Sequence, residues 1–246
     1  MLKKEKRVHI VPVGFEIDRI VIPLIENKAD KIYFLMRDKE ENAELHYKEI
    51  IKQLNKEGIN NIEKIQVDMG NIYSITNKIR KIIEKEEKNN IFINVSSGSK
   101  LCSIGATMAS MMIKTKKIHL YYGVPEDYNK EKQGELNVLS SGCKDCLDVP
   151  VYKIHLPDEE LIQFLIKIKQ LNIKGEIVTQ KKLINFLPNL SKDDKKSNNP
   201  KVYMRLKRDY LDKLFYDWKL ITFEGKGKNS EIKLTENGEE LIKFFE

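Results

Sequence analysis

Residues 91–101 read Ile-Phe-Ile-Asn-Val-Ser-Ser-Gly-Ser-Lys-Leu, and no other stretch gathers so much potential chemistry. An apolar, β-favouring run leads into Asn94, the hydroxyls of Ser96, Ser97 and Ser99, the single Gly98 and the cation of Lys100, with Leu101 next. A small-residue helical pattern, Cys102 to Lys114, begins at once. A strand, a polar turn and a helix start in succession bring together unpaired backbone N–H groups, the positive end of a helix dipole and a lysine. Such a junction suits an anion, above all a phosphate. The Walker pattern is absent, because Lys100 follows a lone glycine. The plainer use of the same residues is capping, with Ser99 or Ser103 as N-cap.

Two further polar turns share this character. Gly14-Phe15-Glu16-Ile17-Asp18-Arg19 follows a β-rich run at Val8 to Val13, and Gly123-Val124-Pro125 closes a later one. The dinucleotide fingerprint is missing after the first run, where only Gly14 stands, so a nicotinamide-dependent redox enzyme is a poor reading. No nucleophile and base stand at readable spacing, and no catalytic residue is assigned. His9, His46, His119 and His155 form no pattern, and His9 and His119, on expected strands, read as structural. Cys143-Lys144-Asp145-Cys146 is a lone CxxC, whereas zinc wants four ligands; no metal and no cofactor is expected.

The elements that must position these turns alternate along the chain. Strands are expected at Val8 to Val13, Ile32 to Met36, Ile62 to Val67, Ile91 to Asn94 and Lys117 to Tyr122. Between them come helical patterns. Ile17, Ile20, Val21 and Leu24 or Ile25 mark the first. Glu41 to Glu57, with Leu45, Ile50, Ile51 and Leu54 inward and Gly58 closing it, is the second. Ile72 to Glu87 carries Ile75, Ile79, Ile82 and Ile83 on one stripe. This alternation implies right-handed βαβ units in a mainly parallel, Rossmann-like α/β sheet. In such sheets ligands lie beyond the carboxyl ends of the strands, which is where the three polar turns fall. Residues 126–150 read as polar and irregular, with a short strand at Leu136 to Leu139, and Val149 to Leu156 as an edge strand or linker.

A boundary near Leu156-Pro157-Asp158 divides residues 1–156 from a smaller α+β domain, residues 157–246. There, helices at Asp158 to Leu171, Thr179 to Phe186 and Lys201 to Trp218 precede two strand-like runs, Leu220 to Phe223 and Glu231 to Leu234. The runs are joined by a turn carrying Lys226 and Lys228, and a last helix begins at Thr235. That order is a winged helix-turn-helix. Its third helix would read a DNA groove, with Lys201, Arg205, Arg208 and Asp212 on one face and Leu206, Tyr210, Leu211, Leu214, Phe215 and Trp218 on the other. Lys226 and Lys228 on the wing, and Lys181 and Lys182 on the second helix, would meet phosphate. A protein-interaction winged helix or a merely solvated charged face remains the alternative.

The two turn motifs, Gly14-Phe15-Glu16-x-x-Arg19 and Asn94 through Lys100, joined to a winged helix, resemble the CRISPR-associated Rossmann-fold (CARF) regulators. The resemblance spans nearly the whole chain. It implies a homodimer in which the central turns face each other across the two-fold axis and hold a cyclic oligoadenylate, commonly the four-membered ring. It further implies a double-stranded DNA partner and a role in transcription regulation. Under it Lys100 would neutralise phosphate, while Ser97, Ser99 and the N–H groups of Gly98 to Leu101 would bond its oxygens. Asn94 would hold the turn or bond a base or ribose. Gly14, Phe15, Ser96 and Gly123 would line the groove, and Arg19 would add charge or pair with Glu16. Some CARF domains cleave their ligand, so a ring nuclease with an accessory winged helix is the rival reading.

Charge and cysteine content agree with these classes without choosing among them. A formal net charge of +7 permits an anionic partner. Three cysteines are too few for a disulfide framework, and the basic start leads into a strand rather than a signal segment, so a cytoplasmic protein is expected. No apolar run approaches the roughly 18 residues of a membrane span.

Overall fold

The computed structural model describes residues 4–37, 41–113, 117–128, 136–188, 190, 199–225 and 230–246. The chain divides into two compact units, Met1–His155 and Leu156–Glu246. The strands of the first are β1 (Arg7–Pro12), β2 (Lys31–Arg37), β3 (Ile62–Val67), β4 (Asn90–Asn94), β5 (Ile118–Val124), the short pair β6 (Asp127–Tyr128) and β7 (Ser140–Ser141), and β8 (Asp145–Val149). Six of them form one sheet of order β3-β2-β1-β4-β5-β8. The first five strands pair parallel, and β8 runs antiparallel to β5. The order reverses between β1 and β4, the switch point of a doubly wound sheet.

Helices α1 (Asp18–Glu26), α2 (Glu41–Lys56), α3 (Ile72–Lys85) and α4 (Lys100–Met112) are the crossovers. They bury the sheet from both sides, and so β1 and β2 are nearly continuous apolar runs. One core joins Val8, Ile10, Ile75, Ile79, Ile93 and Ala106, and another joins Val11, Ile20, Leu24, Phe34, Ile50 and Leu54. The Rossmann-like sheet is the one the apolar runs and helical stripes imply.

Four local expectations are corrected. Leu45 is 43% exposed, because Ala43, His46, Ile50 and Leu54 take the inward stripe of α2. Leu136 to Leu139 is not a strand: the pairing falls instead on β7, against β6. The edge strand lies at Asp145–Val149, earlier than Val149 to Leu156, and Gly123 is inside β5 rather than in a turn after it.

In the second unit α5 (Glu159–Ile173), α6 (Gln180–Leu183) with a 3₁₀ turn at Ile184–Phe186, and α7 (Pro200–Leu206) precede the antiparallel hairpin β9 (Ile221–Glu224) and β10 (Glu231–Leu234). Helix α8 (Glu236–Lys243) follows, capped by the Thr235 hydroxyl, which accepts the Gly238 N–H at 3.2 Å. Leu165, Ile168, Leu183, Leu206, Leu211, Leu214, Ile221, Ile232 and Ile242 form its core. This is the expected winged-helix order. Helix α7 continues through π-helical turns at Lys207–Leu211 and Lys213–Asp217. Lys226 and Lys228 lie outside the described residues, as does most of the loop before Pro200.

Candidate functional site

The turns after β1 and β4 interlock at the switch point. The Gly14 N–H donates to the Ser97 hydroxyl at 3.1 Å. A Cβ on Gly14 would stand 2.7 Å from the Gly98 nitrogen and 2.9 Å from its Cα, so only glycine permits this approach. Gly98 has φ of +84°, and a Cβ there would meet Pro12 at 2.8 Å. Ser99 caps α4, its hydroxyl accepting the Cys102 N–H at 3.2 Å, while Ser103 turns back to the Val95 carbonyl.

Behind the turns lies a buried polar brace. Asn94 donates to the Arg19 carbonyl at 2.9 Å and accepts the Ser96 N–H at 2.7 Å. Arg19, only 4% exposed, pairs with Glu16 at 2.9 Å, donates from Nε to the Gly123 carbonyl at 2.7 Å and stacks on Tyr122. The Ser96 hydroxyl accepts the Gly123 N–H at 2.5 Å, and Ser140 donates to Glu16. Of the two roles open for Arg19, the ion pair that braces the first turn is the one present. Tyr121, fully enclosed beside Asn94, has its phenol pushed well up by burial and so stays protonated.

In front of the brace is a cleft of about 320 Å³ lined by Gly14, Phe15, Glu16, Ser96, Gly98 and Ser99. The motif reading therefore places six of its residues on one wall. Asn94, Arg19, Ser97 and Gly123 sit behind that wall as support. Lys100 is exposed as the first residue of α4, and Leu101 is half-buried; neither lines the cleft itself. Val13, Arg37, Ala43, Met69 and Leu139 complete the lining and were missed. Arg37 is the last residue of β2 and Met69 follows the carboxyl end of β3, the same rim that marked the polar turns, so strand ends were the available signal. Phe15 meets His46 edge to face at 5.3 Å on the α2 side.

In the second unit the cations proposed to meet DNA do not form one open face. Lys181 and Lys201 are exposed. Lys182 pairs with Glu176 at 2.9 Å, and Arg208 forks onto Asp209 at 2.6 and 3.0 Å, holding that carboxyl below its usual range. Arg205 lines a groove with Glu159, Glu160 and Asp209. Lys201 and Arg205 lie in α7, whereas Arg208 lies in the π-helical turn that follows and Asp212 between the two such turns, where the spacing is wider than the 3.6 residues per turn of an α-helix. Exposed pairs such as these are worth about 0–1 kcal/mol.

Among the described residues no helix is long and apolar enough to cross a membrane, and no group of three His, Cys, Asp or Glu side chains could hold a metal ion. Comparison with known proteins places residues 7–128 on the HFX_2341_N-like N-terminal family model and residues 160–246 on the DUF6293 C-terminal winged helix domain. The chain is similar to the uncharacterized protein MJ1513 of Methanocaldococcus jannaschii, at 28% identity over 72% of this chain and 62% of that protein. Similar solved structures include Enterococcus italicus Csm6 bound to cyclic hexa-2′-fluoro-hexa-dAMP, with a TM-score of 0.45, 10% identity, and coverage of 86% of this chain and 56% of that one. Another is Can2 of Sulfobacillus thermosulfidooxidans in complex with cyclic tetra-adenylate, with a TM-score of 0.38, 13% identity, and coverage of 97% and 63%. The chain thus spans less than two thirds of the length of each of these relatives.

Proposed function

Since the chain joins an HFX_2341_N-like N-terminal domain to a DUF6293 winged helix domain, the CARF-plus-winged-helix architecture its motifs resemble, we propose that it is a ligand-responsive DNA-binding regulator. The N-terminal cleft binds a cyclic oligoadenylate, with cyclic tetra-adenylate the first ring to test, and two copies of the chain face each other across it. The winged helix binds double-stranded DNA, and ligand binding changes the spacing of the two winged helices as rigid bodies.

One observation carries the anion half of this reading. Lys100 is exposed at the first position of α4, where the helix dipole disfavours a cation by about 0.3–1 kcal/mol. The same position would favour an anion held between the lysine and the helix N–H groups beside the cleft. A symmetric polyanion matches two copies of that turn in an isologous dimer.

The test is thermal unfolding of the full chain with cyclic tri-, tetra- and hexa-adenylate. Saturation at about 100 times Kd adds roughly 2.7 kcal/mol, and each kcal/mol moves the midpoint by about 2–4 °C. One ring should shift the midpoint, and Lys100→Ala should abolish the shift. No shift with any of the three rings refutes the ligand assignment.

A further inference from the structure

The CxxC motif is not used by the reading above, yet the fold sets it against the cleft wall. Cys146 lies opposite Gly123 in the β5–β8 register. The Cys143 sulfur overlies the same glycine, 3.0 Å from where a Cβ would stand, and the Ser96 hydroxyl is 3.3 Å from that point. Both thiols are free and half-buried, and the Cys143 sulfur lies 3.5 Å from the Asp145 carbonyl oxygen. Gly123 in turn gives its N–H to Ser96 of the cleft lining and takes the Arg19 guanidinium on its carbonyl. The Cys143 sulfur and the backbone of Cys146 thus flank the residue that ties the edge of the sheet to the cleft.

We propose that Cys143 and Cys146 are a reversible modification site, oxidised to an intrachain disulfide by a low-molecular-weight disulfide, and that the state of this bond is felt in the cleft through Gly123 and Ser96. The exchange balances. The Cys143 thiolate attacks one sulfur of the small disulfide and releases one small thiol. The Cys146 thiolate then attacks the Cys143 sulfur of the mixed disulfide and releases the second. The protein loses two protons and two electrons, and the electrons reduce the small disulfide to two thiols.

The surroundings order the steps. Burial pushes both thiols up, and Cys146, which also faces Cys143, Glu26 and Asp145, reaches about 12. The neighbouring Cys146 thiol, and more weakly Arg19, favours the Cys143 thiolate, which makes Cys143 the attacking sulfur. The resting dithiol is therefore protonated near neutrality, and the exchange accelerates as pH rises.

The full chain is incubated with oxidised glutathione at about pH 7 and about pH 9 and followed by mass spectrometry and amide hydrogen exchange, without any nucleotide. The expected result is loss of two hydrogens in the peptide spanning Cys143 and Cys146, faster at the higher pH and reversed by a dithiol reductant. Amide exchange around Ser96 and Gly123 should change with it. Cys146→Ser should stop at a glutathione adduct on Cys143. Separate adducts on both cysteines, or no reaction at either pH, overturn the disulfide. A disulfide that leaves exchange at Ser96 and Gly123 unchanged overturns the coupling. Since no nucleotide is present, these outcomes stand apart from failure of the ligand assignment.

Discussion

Gly14→Ala tests whether the cleft depends on the close approach of the turns after β1 and β4. The new Cβ would sit 2.7 Å from the Gly98 nitrogen and 2.9 Å from its Cα, and both neighbours are backbone that cannot swing aside as a side chain would. Overpacking of this kind costs about 1–3 kcal/mol. Separating the turns also breaks the 3.1 Å bond from Gly14 to Ser97, a net loss of about 1 kcal/mol. The sum, about 2–4 kcal/mol, should lower the melting midpoint of the N-terminal unit by roughly 5–15 °C in calorimetry. Hydrogen exchange should speed up locally at Gly14 and through residues 96–99. Gly70→Ala is the matched control. The atom nearest its Cβ would be an Asp68 carboxylate oxygen at 3.4 Å, and Gly70 is not in a left-handed conformation. That change should be neutral or stabilise by about 0.4–1 kcal/mol. A Gly14→Ala midpoint equal to wild type, with unchanged exchange at 96–99, would show that the turns are not locked together and would refute the cleft geometry.

Other outcomes follow from buried groups and surface charge. His9, wholly buried on β1, has its imidazole pushed down to about 3 by desolvation and by Arg7. The unfolded state therefore binds the proton first, and the stability this residue confers above about pH 6.5, up to about 5 kcal/mol, is lost as pH falls toward 3. Denaturant titrations of His9→Phe should show a flatter decline between about pH 6.5 and pH 4. Removing one partner of the buried Arg19–Glu16 pair, by Arg19→Met, should cost about 3–5 kcal/mol. Adding Glu16→Met should recover part of it, and strict additivity in the double-mutant cycle would refute the pairing. For the winged helix, Arg205→Ala with Arg208→Ala should weaken DNA binding in fluorescence anisotropy without changing nucleotide affinity. The slope of log K against log salt should fall in magnitude by about 0.9 for each phosphate no longer neutralised, and unchanged DNA affinity would remove both arginines from the interface.

The sheet was legible because its central parallel strands are apolar runs, β3 alternates, and each crossover helix carries a stripe that only one face can bury. Where that signal thins, the reading slipped. Leu45 is large and apolar but stands off the stripe, whereas Ala43 and His46, with weaker hydropathy, occupy it. The edge strand Asp-Cys-Leu-Asp-Val is largely exposed, so it lacks the pattern that marks the buried strands. On α7 and the π-helical turns after it the apolar residues pack into the core as their spacing assigned, but nothing in that spacing shows that Asp209 takes up the Arg208 guanidinium.

The polar turns show a deeper limit of composition as a guide. Asn94, Ser97 and Arg19 look as suited to a ligand as Phe15, Ser99 and Lys100, yet the first three are buried behind the cleft wall and spend their hydrogen bonds on Glu16 and on backbone. Polar type cannot separate the two sets, because holding a turn and binding an anion need the same donors and acceptors. Burial separates them. A buried ion pair gives little net stability over apolar residues of equal volume, so the Arg19–Glu16 pair is better understood through what it fixes. Arg19 ties the carbonyl of Gly123, Asn94 ties the carbonyl of Arg19, and Ser96 ties the N–H of Gly123. The first turn of α1 and the ends of β4 and β5 are thereby held in one arrangement. Such preorganisation lowers the ordering cost of binding, which is where a half-open cleft of modest size can gain affinity.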